Sequence, residues 1–242
     1  MSNTSLSSGK KLVMVAQRQL ASLPNISIQR GALGFLFALH FFGVLGIHVP
    51  FMAESLRQLT PFESFLSLTP LNLLLTCGIL LLFHKEWNKN FVTFILLCVS
   101  VGFFIELLGV STGLVFGEYE YGGVLGPKLW GTPPMIGVNW LILVYASGSI
   151  VSGLPVGNWA KAAMGAALMV GLDVLIEPVA MHFGFWYWVN NTVPMLNYLA
   201  WFAVSFVLVF AFLKLKFNKK NKAAIYVFLA QLGFFAANLL LM

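Results

Sequence analysis

Seven long apolar runs constrain this chain more than any other feature. Each approaches the roughly 20 residues that an α-helix needs to cross a bilayer. They cover about Ala32–Met52, Phe65–Phe83, Phe91–Val110, Met135–Gly153, Ala160–Met181, Pro194–Leu213 and Ala223–Leu241, the third able to run on toward Phe116. None shows the period-two alternation of a membrane β-barrel. Only 9% of the residues are charged and 59% are hydrophobic, whereas soluble domains carry about 25% charged residues. No core of 242 residues could hide that much apolar side chain from water, but lipid can serve as its solvent. The expected fold is all-α: a polytopic transmembrane helix bundle of seven spans, forming a single integral-membrane domain. Residues 1–30 are polar and basic, and no small-residue cleavage pattern follows the first apolar run, so that run is expected to be a retained span.

Charge placement predicts the orientation. With the N-terminus in the cytoplasm, Lys10, Lys11, Arg18, Arg30, Lys85, Lys89, Lys161, Lys214, Lys216, Lys219, Lys220 and Lys222 all fall on the cytoplasmic side. Of the 14 basic residues only Arg57 and Lys128 do not, as the positive-inside tendency requires. Moving the count by one span would destroy the alternation. The net charge of +6 is thus a topology signal with anionic lipid as a secondary partner, and nucleic acid is not expected. A multi-pass protein of the cell membrane, the bacterial inner membrane in particular, is the expected setting. Cys77 and Cys98 lie in apolar runs without CxxC spacing and read as small buried hydrophobes.

Three carboxyl groups fall within spans: Glu106, Asp173 and Glu177. Burying one at the bilayer centre costs roughly 2.5–3.5 kcal/mol, so each is a candidate functional residue. At about 1.5 Å per residue, Asp173 lies about 18 Å from Lys161, Glu177 about 6 Å beyond it, and Glu106 about 22 Å from Phe91. All three therefore reach similar depth in the outer half of the membrane. Asp173 and Glu177 are four apart on one helix face. Two like charges that close in low dielectric do not both ionise cheaply, so one should hold a proton and can act as a general acid. Pro178 directly follows, predicting a kink or helix end at Glu177. The alternative is that the carboxyls merely hydrogen-bond neighbouring helices. His40, His48, His84 and His182 form neither HxxxH nor ExxH pairs with their neighbours, so no metal centre is expected.

Two blocks rich in glycine and aromatic residues flank these carboxyls. The first runs from Glu106 through Thr112, Gly113, Gly117, Glu118, Tyr119 and Tyr121 to Gly131-Thr132-Pro133 and Asn139-Trp140. The second is Gly184-Phe185-Trp186-Tyr187-Trp188, followed by Asn197-Tyr198 and Trp201. An aromatic belt at the membrane interface accounts for the rings. It does not account for the polar set Glu106, Thr112, Glu118 and Asn139. The sharper reading is a wall of π faces around a reactive cation.

Together these blocks resemble the integral-membrane carotenoid biosynthesis protein family. The likeness rests on E-x-x-G-x-x-T-G-x-x-F-G-x-Y-x-Y from Glu106, on the Gly-x-Pro and Asn-Trp that follow, on Asp173-x-x-x-Glu177-Pro178, on Gly184-Phe-Trp-Tyr-Trp188, and on Asn197-Tyr198-x-x-Trp201. Thr132 stands where that family often has Val, and Glu177 where it often has Asp. The family includes carotenoid hydratases that add water across the terminal 1,2 double bond of an acyclic end group. The resemblance implies a long apolar carotenoid substrate, a lyase-class reaction and no cofactor. It also implies an acid from Asp173 or Glu177, and Glu106 or the other member of the pair orienting water. Tyr119, Tyr121, Asn139, Trp140, Trp186, Trp188, Asn197, Tyr198 and Trp201 would contact the substrate. Rival readings are end-group cyclisation on the same scaffold and a transporter or proton relay. No internal repeat or pair of broken spans supports the transporter. A retinal-type receptor is disfavoured because the last span lacks a lysine.

Overall fold

A computed structural model describes residues 26–60 and 62–242. Lys10, Lys11 and Arg18 lie outside these residues. Seven helices are long and apolar enough to cross a membrane. They are α1 (Ile26–His48), α3 (Thr69–Leu82, preceded by a 3₁₀ turn at Phe65–Leu68), α4 (Lys89–Thr112), α5 (Met135–Ser152), α6 (Asn158–His182), α7 (Met195–Lys214) and α8 (Ala224–Leu241). Their lengths match the apolar runs except at the first. The expected span to Met52 ends instead at His48, because Val49 precedes a proline and is extended (φ −100°, ψ 107°). Pro50 then opens a separate amphipathic helix, α2 (Pro50–Leu59), with no buried residue.

Local signals set the helix ends. Asn88 caps α4, its side chain accepting from the Phe91 amide at 3.0 Å. Gly113 ends α4 in the left-handed conformation (φ 68°), its amide donating to Gly109 O. Of the two outcomes expected of Pro178, a helix end at Glu177 is not found. The helix neither stops nor breaks at Glu177 but runs on to His182. Proline merely withholds the N–H that would reach the Val174 carbonyl.

Helix α5 lies at the centre. Trp140 through Gly148 are buried without interruption, and α5 packs against α3, α4, α6, α7 and α8. A helix that is apolar all round belongs in such a position. The surrounding helices turn Phe35, Phe41, Leu74, Leu96, Phe104 and Val207 outward, as lipid contact demands. Small residues allow the close approach: a Cβ on Gly137 of α5 would stand 2.5 Å from the Val99 carbonyl oxygen of α4.

One element has no forerunner among the apolar runs. Strand β1 (Tyr119–Tyr121) pairs antiparallel with β2 (Trp186–Trp188), Tyr119 opposite Trp188 and Tyr121 opposite Trp186. It joins the loop after α4 to the loop after α6. A Cβ on Gly122 would meet the Gly184 carbonyl oxygen at 1.8 Å, so only glycine fits where the two loops cross.

Candidate functional site

The ribbon explains how residues far apart in sequence meet. Side chains alternate across a strand, so Tyr119, Tyr121, Trp186 and Trp188 share one face, while Glu120 and Tyr187 are exposed on the other. That first face closes over the ends of α4 and α6, where Glu106, Asp173 and Glu177 are all buried.

Each carboxyl has a different set of partners. Glu106 Oε2 accepts from the Tyr119 hydroxyl at 2.6 Å and the Tyr121 hydroxyl at 2.7 Å. Its Oε1 accepts from Trp140 Nε1 at 2.9 Å. Glu177 Oε2 accepts from two indoles, Trp186 Nε1 at 2.9 Å and Trp188 Nε1 at 2.7 Å. Asn197, at the start of α7, uses its one amide nitrogen twice. It donates to Glu177 Oε1 at 3.0 Å and to Asp173 Oδ2 at 2.9 Å. Asp173 Oδ1 is buried with no hydrogen-bond partner. Burial, with the charge of Glu106 second, holds the Tyr119 and Tyr121 hydroxyls well above the ordinary phenol range, so both remain donors.

Between these groups lies a cavity of about 20 Å³, lined by Glu106, Glu177, Asn197, Phe116 and the rings of Tyr119, Tyr121, Trp186, Trp188 and Trp201. That is room for one water molecule. Trp201 stacks on Trp140 at 4.4 Å and 21° and backs this wall. The indoles of Trp186 and Trp188 thus meet Glu177 through their N–H edges rather than presenting only π faces to the site.

Two candidate residues stand apart from this cluster. Asn139 lines a larger cavity of about 430 Å³ between α1, α3, α5 and α8. Tyr198 is half-buried at the start of α7 and forms no hydrogen bond with the carboxyls. Thr112 and Glu118, grouped with Glu106 by sequence, are exposed instead, and the Thr112 hydroxyl is spent on the Leu108 carbonyl. His40 Nδ1 pairs with the Leu36 carbonyl, and His48 Nε2 lies 3.0 Å from Asn238 Oδ1. Phe116 was not singled out by sequence. The F-G within the glycine-rich motif was its available signal.

The site residues from Glu106 to Trp201 all fall in a stretch with known relatives. Residues 68–242 match the family described as carotenoid biosynthesis protein. This chain belongs to that family. It is also 34% identical over 117 residues to a protein of Haloarcula japonica named bisanhydrobacterioruberin hydratase. The match takes in 45% of this chain and 40% of that relative, so this chain spans well under two thirds of the relative's length. No solved structure matches.

Proposed function

We propose that the protein hydrates the terminal 1,2 double bond of an acyclic carotenoid end group, giving a tertiary alcohol. The observation that carries this reading is the buried junction of three carboxyls, one shared amide and a water-sized cavity. Indole N–H groups only donate, so Glu177 Oε2 and Glu106 Oε1 bear no proton. The Asn197 amide likewise occupies Glu177 Oε1 and Asp173 Oδ2. Asp173 Oδ1 is left as the resting place for a proton shared by the Asp173–Glu177 pair.

The chemistry then runs in two steps. The pair gives its proton to C2 of the alkene through Glu177, the member that lines the cavity, and the π electrons form the new C–H bond, leaving a tertiary cation at C1. Water in the cavity adds its oxygen to C1 and loses a proton that returns to the pair, directly or by way of Glu106, restoring the starting state. Oxidation states balance within the substrate and water, so the reaction draws on no oxidant or reductant. Ring faces and the negative oxygens around the cavity stabilise the cation as it forms. Glu106, fixed by three donors, orients the water.

The test is expression in a host that accumulates acyclic carotenoids. The intact protein should yield a product heavier by one water. Asp173→Asn and Glu177→Gln should each lower that yield by roughly 10²–10⁴-fold, the usual contribution of general acid catalysis, at matched protein level. Undiminished alcohol from both variants would refute the assignment. A product of unchanged mass would favour cyclisation, which shares the protonation step but admits no water.

A further inference from the structure

The larger cavity has no part in the proton chemistry, yet it adjoins the site that does. Ile136 and Trp186 line both it and the water-sized cavity, so one isoleucine and one indole form the partition between them. Trp186 is the same side chain that binds Glu177. On its far side the cavity is walled by α1, α3 and α8, and residues such as Phe35, Phe42 and Leu71 at its edge are about half exposed. In a membrane those residues face hydrocarbon, so the mouth opens sideways into lipid. A volume of about 430 Å³ falls in the range of small-molecule pockets.

From this geometry we infer that the cavity between α1, α3, α5 and α8 is the docking site for the polyene arm of the substrate. The inference rests on the proposed hydratase reading and adds where and how the substrate enters. The carotenoid slides in from the bilayer, its arm lies along α1, and its end group passes the Ile136–Trp186 partition to reach the carboxyls. The volume takes one arm, not an outstretched forty-carbon chain, so the remainder stays in lipid. Asn139 belongs to this arm site and not to the acid cluster. Continuity with the carboxyl site favours the substrate over a lipid acyl chain as occupant, since a lipid tail has no reason to approach buried acids.

Ala38 lies on the α1 wall, and Ile47, the penultimate residue of that helix, lines the same cavity. Neither lines the carboxyl cavity. Ala38→Trp and Ile47→Trp, purified into nanodiscs and checked for native elution, should be compared on two substrates. One is a full-length acyclic carotenoid. The other is a short acyclic terpene with the same terminal double bond. Each variant should lose at least about tenfold on the long substrate relative to the short one. Equal loss on both, or loss on neither, overturns the inference. A separate binding arm distinguishes this failure from failure of the hydratase reading. Added polyene should quench the native tryptophans saturably in the intact protein and not in Ala38→Trp. If quenching follows this pattern but no alcohol forms, the hydration proposal fails and the docking site stands. Non-saturable quenching, as expected of a cavity filled by lipid acyl chain only, overturns the docking site.

Discussion

Asn197 decides the electrostatics of this site more than its neutral side chain suggests. Among the described residues its amide nitrogen is the one group that hydrogen-bonds both members of the acidic pair. Donors to a carboxylate favour its charged form, and a second carboxylate a turn away opposes it. On the proposed mechanism, the amide sets how the pair shares its proton. Asn197→Leu keeps the volume roughly constant and removes both bonds. Hydrogen bonds to charged groups contribute about 1.5–3 kcal/mol, so alcohol yield should fall by roughly tenfold to a hundredfold, measured against an unchanged protein band. Unaltered yield would mean that the amide is mere packing. The residue identities at this scale were legible: Glu106, Asp173 and Glu177 are costly in a span wherever they occur. Their pairing was not legible. That two indoles converge on one glutamate oxygen depends on a strand register, and no spacing within a single helix encodes it.

At the level of elements, the long helices could be read directly because lipid imposes length and hydrophobicity together. The short ones could not. Strands of three residues leave almost no periodic signal, although Tyr119-x-Tyr121 and Trp186-x-Trp188 do alternate and glycines bound them. Pro50 ends the first span short of the apolar run, which continues to Met52, whereas Pro178 leaves α6 helical as far as His182. A further cluster joins elements at the opposite end of the bundle. The Asn221 amide donates to the Tyr145 hydroxyl at 2.9 Å, and that hydroxyl lies 2.5 Å from His84 Nδ1. His84 stacks on Phe91 at 3.4 Å. Burial first, and the nearby Lys219 charge second, depress the His84 pKa from 6.5 to about 4. Protonation therefore disfavours the folded state. The contribution of neutral His84 is present above pH 6.5 and is lost progressively as pH falls from 6.5 toward 4. The apparent Tm of the intact protein should drop more steeply over that window than the apparent Tm of His84→Gln. Parallel curves would show that His84 is not the titrating group.

Seen whole, the molecule separates two kinds of work along the membrane normal. Lys85, Lys89 and Lys214 to Lys222 gather at one end, where Asn88 and Asn90 both donate to the Lys216 carbonyl and tie the start of α4 to the loop after α7. The carboxyls, the ribbon and both cavities sit toward the other. The positive-inside tendency assigns the basic end to the cytoplasm, which puts the three carboxyls, and with them the proposed acid chemistry, in the outer half of the bilayer. The most direct test of the central claim supplies purified protein in lipid vesicles with an acyclic carotenoid in heavy-oxygen water and reads the product by mass. The account predicts a tertiary alcohol carrying one heavy oxygen from the intact protein and none from Asp173→Asn. An alcohol without the label, or a product isomeric with its substrate, would contradict it.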